Sequence, residues 1–127
     1  MINIKNTCNN NINTISFESI DEPDFGDSFP LEIPVMTDVD NMLTEGLTAG
    51  HYNFIIDLNN ISYMCSFGLS VFFNSHRKFS NNEGKIVFLS PNPTIIKLFS
   101  TLKVINVFEI YQDEIIAIQS FSNKKNT

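Results

Sequence analysis

The residue best placed to do chemistry in this sequence is a single serine. Ser66 follows an apolar run, Phe54 to Leu58, and a short turn, and it directly precedes a predicted helix over 67–80. A hydroxyl at such a junction accepts a hydrogen bond from an early helical N–H, so a helix cap is one interpretation. Phosphorylation is the other, because a phosphate adds about two negative charges at a helix end that favours anions. Such a charge would leave the fold intact and would block a partner docked there.

Other combinations of reactive side chains are weak. The two histidines, His51 and His76, form no recognisable catalytic pattern with a serine or cysteine. The cysteines, Cys8 and Cys65, form no metal-binding motif. Four carboxylates crowd one short stretch, but their spacing matches no calcium loop: Asp21, Glu22, Asp24 and Asp27. We therefore expect no catalysis, no metal and no cofactor.

The charge balance excludes several classes of partner. The 127 residues carry a net charge of −6, and the eight Lys and Arg residues form no stripe. Nucleic-acid binding needs clustered basic residues, so we expect no direct nucleic-acid partner. No segment reaches the roughly 20 apolar residues of a membrane span, and the first residues lack the apolar run of a signal peptide. We expect a cytoplasmic protein with reduced thiols.

Apolar periodicity predicts strands that alternate with helices. Strands are predicted at 12–17, 54–58, 85–89 and 107–110, and helices are predicted to begin at Thr37, Phe67, Pro93 and Asp113. This order favours an α/β fold with a four- to five-stranded, mostly parallel sheet and about four helices. The Pro, Gly and Asp residues between 21 and 34 indicate an inserted surface loop. Its apolar residues are expected to pin the loop or to form a short extra strand; they are Phe25, Phe29, Leu31 and Ile33. The polar tail 122–127 is expected to fray.

Finer expectations concern individual side chains. The buried stripe of the second helix is predicted from residues at helical spacing, which are Leu69, Phe72, Phe73 and His76. Phe67 and Val71 lie off this stripe, which predicts exposed apolar contacts with a partner. The run Asn9–Asn11 is interpreted as compositional drift, because apolar periodicity persists around it.

The run from Ile55 to Leu69 resembles the signature of STAS domains, the anti-sigma factor antagonists. In that family an apolar strand ending in Asp-Leu leads, after a short turn, to Asp-Ser-Ser/Thr-Gly-Leu. Here Asp57-Leu58 leads to Cys65-Ser66-Phe67-Gly68-Leu69. Ser66 stands where the family has its phosphorylated serine, Cys65 replaces the Asp, and Phe67 replaces the second hydroxyl residue. Residues 84–91, 96–102 and 107–110 are also similar to the family, and Ser19-Ile20-Asp21 resembles its Gly-Glu-Leu-Asp.

The resemblance implies a STAS-like fold, with a single domain over 1–127 that binds rather than catalyses. Its implied partner is an anti-sigma factor with serine-kinase activity, which phosphorylates Ser66 and thereby switches binding off. The implied contact residues are Asp21, Cys65, Phe67, Gly68 and Leu69. We expect a monomer or weak dimer.

Two other functions stay open at this point. One is a STAS scaffold that is not phosphorylated, acting as an accessory subunit of a transporter or of a stress-sensing complex; the replacements at Cys65 and Phe67 favour it. The other is a ligand-binding module with a pocket beside Asp21, under the acidic loop.

Overall fold

The computed structural model describes residues 2–19 and 28–122. The strands in those residues are β1 (Ile2–Asn9), β2 (Ile12–Ser19), β3 (Phe29–Leu31), β4 (Asn53–Asp57), β5 (Ile61–Met64), β6 (Lys85–Leu89) and β7 (Glu109–Tyr111). The helices are α1 (Ile33–Thr48), α2 (Ser66–Asn81), α3 (Pro93–Thr101) and α4 (Glu114–Ser122). None of the helices described combines the length and apolar character needed to cross a bilayer.

The main sheet has five strands in the order β1-β2-β4-β6-β7. Pairing is antiparallel between β1 and β2 and parallel at every other step of this sheet. Parallel neighbours need a crossover, and the helices between them supply it. The predicted α/β class, with a mostly parallel sheet of four or five strands and four helices, is confirmed.

The first strand was not predicted, and the asparagine run explains it. Asn9 pairs with Ile12, so Asn10 and Asn11 form a two-residue hairpin loop between β1 and β2. Both residues have a positive φ, 54° and 67°. A loop of this kind matches the twist of the flanking strands, and Asn tolerates the left-handed conformation. The interpretation of these asparagines as compositional drift is therefore wrong.

At the end of the predicted loop over 21–34, the structure has the short extra strand that was one of the two expectations, at Phe29–Leu31. Strand β3 pairs in parallel with β5 in a small second sheet, although no strand was predicted at β5. Helix α1 begins at Ile33 rather than Thr37, with Pro34 in its first turn, where the missing proline N–H has no helical acceptor to lose. Residues 20–27, including the acidic cluster, and residues 123–127 of the predicted frayed tail lie outside the described residues.

The core occupies both faces of the main sheet. On one face the buried residues of α1, α2 and α3 pack together with those of β2, β4 and β6. On the other face, Ala117 and Phe121 of α4 pack against Ile55, Val87 and Leu89. Helix α3 is fixed by Asn92, whose side-chain oxygen accepts from the Ile95 N–H at 2.8 Å, while its amide donates to the Ile61 carbonyl at 3.0 Å. The predicted Asn-Pro start of this helix is confirmed.

The buried side of α2 differs from its predicted stripe. The buried residues are Gly68, Val71, Phe72, Ser75 and Phe79. Phe73 was expected inside but is 38% exposed, and Val71 was expected outside but is 4% exposed. The reason is that α2 packs on α1 as well as on the sheet, which turns its buried side toward Gly68 and Val71.

Candidate functional site

Ser66 lies at the exposed N-terminus of α2, as its first helical residue. The capping interpretation is wrong: the N-cap position belongs to Cys65, whose backbone is extended, and no side chain makes a capping hydrogen bond. The Cys65 carbonyl accepts the first helical hydrogen bond, from the Leu69 N–H at 3.1 Å. The N–H groups of Ser66, Phe67 and Gly68 therefore have no acceptor within the helix.

A negative group on Ser66 would lie at a favourable end of the helix. Three N–H groups without helical acceptors and the positive end of the helix dipole both stabilise anions there. The first turn of α2 contains no acidic side chain, and neither does the first turn of α1. One acidic residue, Glu32, lies just before α1 as its exposed N-cap residue. A phosphate on Ser66 would introduce the first charge into the start of α2.

The starts of α1 and α2 lie side by side. The Cys65 N–H donates to the Leu31 carbonyl at 3.1 Å, which joins the residue before α2 to the strand before α1. The two helices then pack closely, because a Cβ at Gly68 would lie 3.1 Å from Met36 Cγ. Gly68, one of the predicted partner contacts, is buried, and its lack of a side chain allows this close helix packing.

Three exposed apolar side chains belong to residues in the adjoining segments β5, the start of α1 and the start of α2. Ile33 is 58% exposed, Tyr63 is 48% exposed and Phe67 is 38% exposed. We call these three residues and Ser66 the Ser66 surface. Leu69 is half-buried and packs on the core, and Cys65 is a half-buried free cysteine. Asp21, the remaining predicted contact residue, lies outside the described residues. Ile33 was missed because the pairing of β3 with β5, which brings the segment before α1 beside the start of α2, is not visible in the sequence.

A separate open cleft lies at the far end of α2. Its volume is about 390 Å³, and it is lined by His76 and Ser80 of α2 together with Lys85, Glu109, Tyr111 and Ser120. Lys85 Nζ contacts Glu109 Oε1 at 3.0 Å and donates to the Ser120 carbonyl at 3.0 Å. This cleft includes none of the residues of the Ser66 surface, so it is not the pocket that the ligand-binding hypothesis expected. Among the described residues, no three His, Cys, Asp or Glu side chains group as a metal site.

His76 has an altered acidity in this cleft. Burial lowers the pKa of His76 below its ordinary value of about 6.5, and the nearby Glu109 carboxylate opposes this shift. The imidazole lies 5.6 Å from the Phe108 ring, centroid to centroid, which explains why water is partly excluded. The folded chain therefore favours the neutral form of His76 more strongly than the unfolded chain does.

We expect the free energy of unfolding to fall as the pH is lowered from about 7.5 to about 5.5. The unfolded chain binds a proton at His76 near pH 6.5, whereas the folded chain binds it only at lower pH, so stability is lost as the pH falls through this window. Urea titrations of wild type and His76→Gln at both pH values measure the effect. The exposed His51, changed to Gln, is the matched control, and an equal pH response in wild type and His76→Gln would contradict the assignment.

The profile of the STAS domain family matches residues 29–115, well over half of the chain. No curated protein sequence matches the chain.

Solved structures with the same fold include several bacterial proteins. The Bacillus cell fate determinant SpoIIAA in its phosphorylated form has 16% identity and a TM-score of 0.70, covering 95% of this chain and 99% of that one. An anti-sigma factor antagonist from Mycobacterium paratuberculosis has 12% identity and a TM-score of 0.76, covering 94% and 93%. A sulfate transporter family protein from Wolinella succinogenes has 8% identity and a TM-score of 0.61, covering 95% and 93%. At these identities the likeness concerns the fold, and with the family match over 29–115 it follows that this chain belongs to the STAS domain family.

Proposed function

We propose that this protein is an anti-sigma factor antagonist that binds an anti-sigma factor with serine-kinase activity. Phosphorylation of Ser66 by that partner ends the binding. The observation that carries the proposal is the exposed position of Ser66 at the start of α2, beside the apolar residues of the Ser66 surface. Its role is binding rather than catalysis.

The exposed apolar residues support a binding role for this end of the molecule. Ile33, Tyr63 and Phe67 come from three different elements and leave apolar area in water, which is typical of interaction sites when such residues cluster. Aromatic residues such as Tyr63 and Phe67 are enriched in the energetically dominant parts of interfaces. An unphosphorylated Ser66 adds only a small neutral hydroxyl to such an interface.

A phosphate on Ser66 would act by blocking the interface. The helix end tolerates the charge, so α2 and the fold persist. A partner surface complementary to apolar side chains and a neutral hydroxyl would instead have to bury about two uncompensated charges. Among the structural relatives, SpoIIAA is known in a phosphorylated form, which supports the proposal by analogy. The replacement of the family's Asp by Cys65 leaves the serine itself accessible.

We expect stoichiometric phosphorylation of Ser66 by the cognate kinase. Anti-sigma factor kinases from the source organism are purified and incubated singly with the protein and ATP. Intact-mass measurement should show one phosphate per chain, and fragmentation should place it on Ser66. Ser66→Ala should accept none.

Ser70 provides the matched control for this experiment. It is exposed on α2, one turn after Ser66, so Ser70→Ala should be phosphorylated as the wild type is. Failure of every such kinase to modify the wild type would contradict the switch and would leave the constitutive scaffold as the better function.

A further inference from the structure

An open cleft lies under the C-terminal half of α1, on the face of the main sheet that α1 covers. Its volume is about 250 Å³. Its lining includes side chains from α1, from the segment after α1 and from β1, β2 and β4, which are Asn6, Asn13, Met42, Glu45, His51 and Phe54. Asn13 and Phe54 are buried and form the floor, while Glu45 and His51 are exposed and form the rim. We call it the Asn13 cleft.

Asn13 occupies a position of β2 where the strand pattern calls for an apolar residue. It alternates with Ile15 and Phe17, and each of the three is at most 5% exposed. The amide nitrogen of Asn13, Nδ2, makes no hydrogen bond within the part of the chain that the structure describes. A buried amide donor without an acceptor lowers the stability of a fold. The floor of the cleft therefore holds an unused donor that an oxygen atom of a ligand can satisfy.

The rest of the floor is rigid. The Phe54 ring packs edge-on against Phe79, with the ring centroids 5.5 Å apart. Helix α1 lies directly on the same ring, because a Cβ at Gly46 would lie 2.8 Å from Phe54 Cζ. The Asn13 amide has more freedom, since the last torsion of an asparagine side chain is broadly distributed. A ligand thus enters a formed site in which the amide can turn toward it.

The rim of the cleft favours a positive charge. Glu45 contributes a carboxylate, and none of the described residues that line the cleft is Lys or Arg. Glu45 lies in the last turn of α1, which has no basic residue, and the helix dipole makes that end negative. Within residues 2–19 and 28–122, no cation pairs with Glu45. A cation at the rim gains from the carboxylate and from the dipole, whereas an anion is repelled by both.

We infer that the Asn13 cleft binds a small organic ammonium compound that also carries a carbonyl or hydroxyl oxygen. The oxygen accepts a hydrogen bond from Asn13 at the floor, and the ammonium group pairs with Glu45 at the rim. The carbon atoms between them contact Met42 and Phe54. The ligand is small, because about 250 Å³ is less than the volume of sites for drug-sized molecules.

The Asn13 cleft is separate from the Ser66 surface. Ile33 lies in the first turn of α1 and Glu45 in the last, and they are roughly 18 Å apart along the helix axis. The inference therefore does not depend on the proposed function.

Titration of the full, isotope-labelled chain with β-alaninamide, followed by NMR, tests the inference. This compound has an ammonium group and a carbonyl oxygen. Butanamide has nearly the same shape without the charge, and butylammonium has the charge without the oxygen. We expect β-alaninamide to shift the side-chain amide signal of Asn13 with a Kd on the order of 10 mM. Butanamide and butylammonium should each bind roughly fivefold more weakly or less.

Two variants assign the two ends of the ligand. Asn13→Leu removes the donor at the floor and should weaken the binding of β-alaninamide by about tenfold. Glu45→Gln should reduce the affinity for β-alaninamide to that for butanamide. Asp38→Asn is the matched control, because Asp38 is exposed on α1 outside the cleft, and it should leave the affinity unchanged. Circular dichroism verifies that the variants are folded, and Glu45→Gln remains decisive if Asn13→Leu is not.

Three outcomes would overturn the inference. The first is an Asn13 amide signal that β-alaninamide does not shift at about 100 mM, which would leave only water to occupy the cleft. The second is binding of butanamide or butylammonium as tight as that of β-alaninamide. The third is wild-type affinity in folded Asn13→Leu or in Glu45→Gln.

Discussion

Ser66→Asp should bind its anti-sigma factor partner at least tenfold more weakly than the wild type, while Ser66→Asn should bind within a few-fold of it. Asp and Asn have nearly the same size and shape, so the pair isolates the charge. Leaving an unpaired charge in an interface costs about 2–5 kcal/mol, and tenfold in Kd is about 1.4 kcal/mol. Titration calorimetry of each variant with the purified partner measures the difference.

The loss should arise in the interface and not in the fold. The first turn of α2 has no acidic residue, so an Asp at Ser66 gains about 0.3–1 kcal/mol from the helix dipole and does not lower Tm. Ser80→Asp is the positional control, since Ser80 is exposed on the same helix roughly 21 Å away. It should leave the Kd unchanged. If Ser66→Asp and Ser66→Asn weakened partner binding equally, the size of the side chain and not its charge would be the cause. Equal affinity of all variants would refute the switch.

The strength of this prediction depends on the neighbours of Ser66. Ile33 and Phe67 extend from the adjacent starts of α1 and α2, and Tyr63 extends from β5. A partner that covers the adjoining starts of α1 and α2 must also remove water from Ser66, because Ser66 is the first residue of α2. A charge at an exposed and fully hydrated position would change the binding free energy little, since exposed ion pairs contribute about 0–1 kcal/mol. The apolar surroundings make the same charge costly.

The sequence specifies the central strands and the parallel order well, and it specifies the edges poorly. The runs 54–58 and 85–89 are almost continuously apolar because both faces of β4 and β6 are covered, and the predicted ranges match β4 and β6 closely. Strand β1 lies at an edge, so most of its side chains face water and its alternation is weak. Its signal is in the turn, where Asn10 and Asn11 favour positive φ.

The site shows the same division between local and non-local information. The strand-to-helix junction and the resemblance place Ser66 within one residue, because both depend on neighbouring residues. The identity of the N-cap depends on backbone geometry at Cys65, which propensity does not resolve. The position of Ile33 beside α2 depends on β3 pairing with β5, two strands of three and four residues that are too short to show a periodic pattern in the sequence. Gly68 and Val71 are buried because α2 packs on α1. The pattern of apolar residues within α2 gives no information about that packing.

Phe88→Ala should lower the free energy of unfolding by about 3–5 kcal/mol. Phe88 is fully buried in β6, where its ring contacts three other aromatic rings. Its ring centroid lies 5.2 Å from that of Phe72, 5.9 Å from that of Phe99 and 4.7 Å from that of Phe108. These rings belong to α2, α3 and the segment before β7, so they cannot all move into the space left by truncation. Urea denaturation followed by circular dichroism measures the loss.

Phe73→Ala is the matched control for this truncation. Phe73 lies next to Phe72 in sequence but is 38% exposed, so its removal should cost roughly 1 kcal/mol or less. A loss of 3–5 kcal/mol is a large share of the 5–15 kcal/mol typical of a domain, and Phe88→Ala could unfold the chain outright. Phe88→Leu keeps most of the volume and should fall between the wild type and Phe88→Ala. Equal losses from Phe73→Ala and Phe88→Ala would contradict this packing, because the buried ring at 88 would then contribute no more than a ring that is 38% exposed.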